Sequence, residues 1–319
     1  MVAITFETLK AFMSDLLTYR LLDAVARYGS IRRAAEKSAI TPSALNRRIL
    51  NLEEEYGTPL FERTNAGMRP NVAGELVLTF VRKQLAELSK VKSQIADLSS
   101  LRMGSVNLAV SPALLPAYLP GKVQRYQSEF PQVDFKVHEV LSGEAEPLLM
   151  NYEVDLALVM DSQFSPDTTM VGEMNLIVQV IMDAGHPLAT REQLKISDLT
   201  AYPLALPSEN SNLFMHLERL MLASQIHLKP QIQCSHAAFI QQCTKGSELL
   251  SFMLTPNNED RNLPDGLVAR PLAHRKASIC AKLLQLKGRT LSVAASRFLE
   301  MIAADFDFVA STDRKATAD

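Results

Sequence analysis

Apolar residues return every three or four positions at Leu17, Leu21, Leu22, Val25 and Ala26, and Gly29 follows them. That period predicts an amphipathic helix from Leu17 that ends at the glycine. Ser30 is placed to cap a second, short helix from Ile31 to about Lys37, whose small Ala34 and Ala35 let a neighbouring helix approach. Ser38–Ile40 then forms a turn. Thr41 caps a third helix, with Pro42 in the first helical position, where its missing N–H costs nothing. Leu45, Ile49 and Leu52 carry an apolar stripe to Gly57, and at 100° per residue this leaves Ser43, Asn46, Arg47 and Leu50 on the opposite side. Glu62–Asn71, with Arg63, Asn65, Gly67 and Arg69, reads as a turn-rich hairpin flanked by cations.

Val72–Arg102 holds no proline and one early glycine, Gly74, while Val81, Leu88 and Ile95 recur at intervals of seven beside Leu85, Val91 and Leu98. One long helix is predicted. About 30 residues at 1.5 Å each reach ~45 Å, too long to bury in a small domain and suited to pairing with a twin. Packing on its own C-terminal domain is the alternative. After Met103-Gly104 the period shortens. Ser105–Val110, Val133–Val140 and Val154–Met160 read as strands separated by helices over Leu114–Glu129 and Glu144–Tyr152, the alternation of βαβ units in a parallel sheet. After the GHPLA turn at Gly185–Ala189 come strands near Leu204–Leu206, Gln231–Cys234 and Leu249–Leu254, with helices at Asn212–Ser224 and Ala237–Cys243 between them. Two lobes are implied. Ala277–Leu286 and a helix over Thr290–Phe308 return to the first lobe, and Ser311–Asp319 is polar.

Composition narrows the classes. At 319 residues, 47% apolar and 21% charged, the chain exceeds the size of one growing core and falls into two or three units. No apolar run approaches the roughly 20 residues of a membrane helix, and the first residues lack the basic leader of a secretory signal. Cys234, Cys243 and Cys280 sit singly, as in a reducing cytoplasm. The net charge of −2 hides an asymmetry, +4 through Met103 and −6 beyond it. GxGxxG, Walker, HExxH and GxSxG patterns are missing and the six histidines lack metal-site spacing, so neither enzyme, cofactor nor metal is expected.

Arg32, Arg33, Arg47, Arg48, Arg63 and Arg69 concentrate the positive charge on the short helices and the hairpin. Two helices joined by a tight turn, the second presenting its first turns to solvent, form the helix-turn-helix that reads the DNA major groove. Guanidinium forks meet phosphates or guanine edges bidentately, and Thr41, Pro42 and Ser43 bring a helix N-terminus to phosphate. The bland reading is a solvated helix whose arginines pair with Glu53, Glu54 and Glu55.

The stretch GSIRRAAEKSAITPSALNRRILNLEEEYGTPLFERTNAGMRPNVAGELVL resembles the N-terminal domain of LysR-type transcriptional regulators. In that family a GS-x-x-x-AA segment, an SALSRQI-like recognition helix, an LEEELG-x-PLFER run and a T-x-AG segment follow in this order. The chain departs at Asn46 (usually Ser), Arg48 (often Gln), Leu50 (often basic) and Asn71 (usually Thr), and Met1–Lys10 extends beyond the pattern. The resemblance implies an α+β chain: a winged helix-turn-helix over 11–71, a linker helix over 72–103 and a two-lobed α/β effector domain over 104–310 like periplasmic binding proteins. Lobe I would take about 104–178 and 277–310, lobe II about 179–276. It implies double-stranded DNA as partner, with Asn46 and Arg47 at bases and Arg63 and Arg69 of the wing at phosphates. It also implies a homodimer or homotetramer joined through Val81, Leu85, Leu88, Val91, Ile95 and Leu98.

Ligands of such sheets lodge beyond the carboxyl ends of strands, where free N–H groups at helix N-termini favour an anion. Ser111, Pro112, Ser142, Gly143 and Ser208 occupy those places and are the expected effector contacts, each with simple helix capping as its alternative. The family's glycine-rich turn is altered here to KGSELLSFM. An exported solute receptor without gene-regulatory role would share the two-lobed half and have no use for the N-terminal helices.

Overall fold

The computed structural model describes residues 6–64, 67–98, 103–141, 143–160, 163–226, 229–256, 263–274 and 277–308. The chain divides into two compact units, Met1–Lys92 with Met150–Glu153, and Ser93–Leu149 with Val154–Asp319. In the first, α1 (Phe6–Tyr28), α2 (Ile31–Lys37) and α3 (Pro42–Tyr56) precede a hairpin of β1 (Phe61–Thr64) and β2 (Gly67–Pro70), and α4 (Val72–Leu98) follows. α1 begins well before Leu17. No glycine or proline interrupts Phe6–Leu17, so the helix runs on into the N-terminal extension.

Local chemistry sets these boundaries. The Ser30 hydroxyl caps α2 by accepting from the Arg33 N–H, and the Thr41 hydroxyl caps α3 by accepting from the Ala44 N–H at 3.3 Å. α3 turns Leu45, Ile49 and Leu52 into a core shared with Leu21, Leu22, Val25, Ala34, Ala35 and Leu60. The Glu53 carboxylate accepts from the Leu60 N–H at 2.7 Å, tying α3 to the start of the hairpin. The Asn71 side chain ties two segments together: its oxygen accepts from the Gly74 N–H at 2.8 Å as a cap of α4, while its amide nitrogen donates to the Pro59 carbonyl at 2.8 Å. At Gly74 a Cβ would stand 2.0 Å from the Leu60 carbonyl oxygen, so only glycine fits that close approach.

The second unit is built on β3 (Gly104–Val110), β4 (Val133–Glu139), β5 (Leu156–Val159) and a long β6 (Thr168–Asp183), with α5 (Leu119–Glu129) and α6 (Ala145–Met150) between them. Then come β7 (Leu204–Leu206), α7 (Asn212–Ala223), β8 (Pro230–Gln233), α8 (Ala237–Thr244), β9 (Ser251–Pro256), β10 (Leu267–Pro271), β11 (Ser278–Leu286), α9 (Val293–Ala303) and β12 (Asp307–Phe308). The main sheet has the order β10-β6-β11-β5-β3-β4, with β9 and β12 also paired to β6. β7 and β8 form a parallel pair, and an isolated Leu204–Leu250 bridge links β7 to the residue before β9.

The expectation of parallel pairing holds for the three strands it named, β3 with β4 and β5, and β7 pairs with β8 in the same sense. β11 runs antiparallel to β5 and β6, and β9, β10 and β12 run antiparallel to β6, so the sheet is mixed. The helix expected over Leu114–Glu129 is a 3-10 turn at Pro112–Leu114 followed by α5 from Leu119, because Pro116 and Pro120 remove donors that a continuous helix needs. The last expected helix ends at Ala303, and Asp307–Phe308 pairs with Glu173–Gly172 instead. Tyr126 anchors the core against Phe135 and Phe298, with ring centroids 5.6 and 5.4 Å away. Its hydroxyl donates to the Ala294 carbonyl at 2.8 Å, and burial pushes its pKa up to about 12.

Candidate nucleic-acid interface and ligand cavity

In the first unit the buried stripe of α3 fixes which residues face out. Thr41, Pro42, Ser43 and Arg47 are exposed and Asn46 is half-buried, all within the first two turns. Arg48 turns the other way and donates to the Thr18 hydroxyl on α1 at 3.1 Å. Arg32 pairs with Glu36 at 3.3 Å across an exposed turn of α2, and Arg33 is exposed beside it. Arg63 and Arg69 lie on different faces of the hairpin, because Arg63 is opposite Met68 and Arg69 opposite Glu62 in an antiparallel register. Met68 packs on the core, so Arg69 belongs to the outward face and Arg63 to the other, where it is still exposed near the tip. The hairpin is held down by a hydrogen bond from the Met68 N–H to the Gly29 carbonyl at 2.8 Å. Asn65 lies outside the described residues.

The second unit contains a cavity of about 510 Å³ beyond the carboxyl ends of β3, β4, β7 and β8. Pro112 and Ser208 line it, as expected from the sequence, with Ala113, Pro207, Ser211, Ser235, Ala237 and the β9 residues Ser251–Leu254. Ser111 and Gly143 are not among the lining residues. Ser111 is 2% exposed, its N–H donating to Leu158 and its carbonyl accepting from Leu114, so its backbone serves the fold. Ser142 lies outside the described residues. α7 is capped by Ser211, whose hydroxyl accepts from the Phe214 N–H at 3.1 Å, whereas His236 at the start of α8 makes no side-chain cap. Among the described lining residues the charged groups are Glu139 and Glu144, the second accepting from the Leu141 N–H at 2.8 Å.

Residues 16–75 match the family described as bacterial regulatory helix-turn-helix protein, lysR family, and residues 99–307 match the LysR substrate binding domain. The chain belongs to the LysR family of transcriptional regulators. A probable nitrogen assimilation transcriptional activator of Synechococcus elongatus is 30% identical over 56% of this chain and 59% of its own length. An uncharacterized HTH-type regulator, YybE, of Bacillus subtilis is 24% identical over 88% of this chain and 96% of its own. The first of these alignments thus spans less than two thirds of that relative. Among solved structures, a variant of full-length OxyR from Pseudomonas aeruginosa has a TM-score of 0.65 at 17% identity, covering 91% of this chain and 93% of its own. Full-length CbnR in complex with its target DNA gives 0.62 at 16%, covering 91% and 99%. At those identities they show a shared fold.

Within this LysR-family chain, the expected dimerisation residues divide into two kinds. Val81 is fully buried in the core of its own unit and Leu85 packs half-buried against that core, so Val81 has no surface left for a twin. Leu88 is half-buried, Val91 and Ile95 are exposed at 47% and 59%, and the side chain of Leu98 lies outside the described residues. Sequence reasoning missed an apolar stripe on the same helix. Val72, Leu76 and Phe80 are exposed and repeat every four residues, a period legible in the sequence but masked by the heptad of Val81, Leu88 and Ile95. Glu139 and Glu144 carry no local signal of this kind, because each enters the cavity through its position near a strand end and not through a helix cap.

The altered KGSELLSFM turn has a structural role. The Asp183 carboxylate accepts from the N–H groups of Gly185 and Gly246, at 2.8 and 2.6 Å, joining the GHPLA turn to this one. Those bonds hold its pKa below the usual carboxylate value. Cys234 and Cys243 are free thiols packed against the small core of Ala205, Ile240 and Leu249.

Proposed function

We propose that this chain is a sequence-specific DNA-binding regulator that responds to a small molecule held in the 510 Å³ cavity. The observation that carries the reading is the disposition of α3: a capped N-terminus and an exposed Arg47 opposite the buried Leu45, Ile49 and Leu52. This geometry lets a helix enter the major groove while its inner face remains packed. Asn46 and Arg47 are the base-reading side chains of this proposal. Thr41, Pro42 and Ser43 bring the helix N-terminus to phosphate, and Arg32, Arg33, Arg63 and Arg69 supply further phosphate contacts. Arg48 acts by positioning α3 against Thr18. Residues 11–71 form the DNA-binding domain, 72–103 the linker helix and 104–310 the effector domain.

The active form is a homodimer or a homotetramer. Val72, Leu76, Phe80, Val91 and Ile95 leave an exposed apolar face on α4 that two chains would bury together, and two-fold symmetry then calls for a near-palindromic site. No described helix is long and apolar enough to cross a membrane. We place the protein in the cytoplasm, where DNA and metabolites are both at hand, and assign it no catalytic role. Genome-wide mapping of bound sites, followed by footprinting of the strongest with the full chain, tests the reading. Protection of a two-fold-related sequence supports it, and uniform affinity for all duplexes at every salt concentration overturns it.

A further inference from the structure

We infer that the ligand of this cavity is a small organic amine, cationic at neutral pH, held by Glu139 and Glu144. The inference rests on the effector-binding reading above and adds the ligand's chemical class. The cavity has the size of a metabolite site and lies where open α/β sheets bind their ligands. Helix N-termini alone would favour an anion, but the lining decides otherwise. Among the described lining residues there are two carboxylates and no lysine, arginine or histidine. Each helix N-terminus carries about half a positive charge, and at α7 the Ser211 hydroxyl already occupies the Phe214 N–H. Glu139 and Glu144 are both exposed, so solvent screens them, and they still give this wall a negative sign that no cation of the described lining offsets.

Neither carboxylate has an ion-pair partner among the described residues, and Glu144 accepts a hydrogen bond from the Leu141 N–H. A metal ion is a poor occupant, because no group of three or more His, Cys, Asp or Glu able to hold one occurs among the described residues. An ammonium group fits better: it brings three N–H donors to these carboxylates, and Ala113, Pro207 and Leu254 of the lining offer apolar surface to a carbon chain. A carboxylate on the far end of the same ligand is tolerated at α8, whose first turn has no side-chain cap.

Calorimetry on the full chain with three five-carbon probes tests this: 1,5-diaminopentane, 5-aminopentanoate and glutarate. The expected result is that one or both amines bind and glutarate does not. Glu139→Gln with Glu144→Gln should weaken the amine at least tenfold, and Ala237→Trp, which fills the cavity, should abolish it. Glutarate binding more tightly than either amine, or none of the three binding at millimolar concentration, overturns the ligand class. Amine binding that survives Ala237→Trp puts the amine elsewhere and overturns the site. Operator protection by the same preparations is read separately, so loss of the ligand proposal and loss of the regulator reading are distinguishable.

Discussion

The guanidinium of Arg289 lies 2.5 Å from the carboxylate of Asp155, and the two side chains are 6% and 8% exposed. Asp155 also accepts from the backbone and side-chain N–H groups of Asn107, at 2.8 and 2.9 Å, while Arg289 donates to the Val154 carbonyl. One buried charge pair thus joins the middle of β3, the entry to β5 and the turn after β11.

Removing one member of such a pair leaves the other buried without compensation, at a cost of about 3–5 kcal/mol. Asp155→Ala should therefore lower the thermal midpoint of the second unit by roughly 10 °C. Adding Arg289→Met to it should recover part of the loss. A calorimetric scan in which Asp155→Ala melts with the wild type would remove the pair from the list of what holds this unit together.

Arg47→Ala should reduce discrimination between operator and unrelated DNA by about 1–3 kcal/mol, the usual worth of a base-reading side chain. Arg69→Ala, on the outward face of the hairpin, should instead weaken binding to every duplex and lower the salt slope by about one unit. Titrations against specific and scrambled duplexes at several salt concentrations separate the two effects. Equal losses on both duplexes for Arg47→Ala would contradict its role.

Gly67 has φ +115°, and a Cβ there would stand 2.3 Å from the Gly29 carbonyl oxygen that Met68 binds. Gly67→Ala should cost about 1–3 kcal/mol through backbone strain and loosen the hairpin. Amide exchange at Met68 reads this directly. Protection equal to that of the wild type would show that the contact is not needed.

Val91→Asp with Ile95→Asp should dissociate the oligomer and leave each chain folded, since both side chains are exposed. Val81→Ala should do the reverse, lowering stability by about 1–3 kcal/mol without changing mass, because that residue is fully buried in its own unit. Sedimentation and thermal melts together decide. An intact dimer in the double aspartate variant would place the chain-to-chain contact elsewhere.

The pKa of Asp183 is lowered, first by the N–H of Gly185 and then by that of Gly246. A carboxyl group depressed in the folded state contributes stability that is present above the unfolded value of about 3.8 and is lost as pH falls through the folded value. Asp183→Asn should therefore be less stable than the wild type at pH 6, with the gap closing toward pH 3. Melts across that range check it; a gap that does not change with pH would deny the carboxylate this role.

The sequence was most legible where side chain and backbone agree within one turn. Thr41, Pro42, Leu45, Ile49, Leu52 and Gly57 place α3 to the residue, because cap, period and stop all act locally. β6 was not legible as one strand. Its first half alternates between buried and open positions, whereas Val178–Met182 is continuously buried by β9 and β10, and those partners come from 70 to 92 residues away. The cavity was half legible. Pro112 and Ser208 follow strand ends and were found by that rule, while Ser111 obeys the same rule and is used up by the fold.

β6 gives its first residues to β11 and β12 and its last to β9 and β10. No cut of the polypeptide separates the two halves of the second unit without splitting that strand or stripping an edge from the piece left behind. The two halves therefore share one strand as a common structural member, and neither completes its sheet without it.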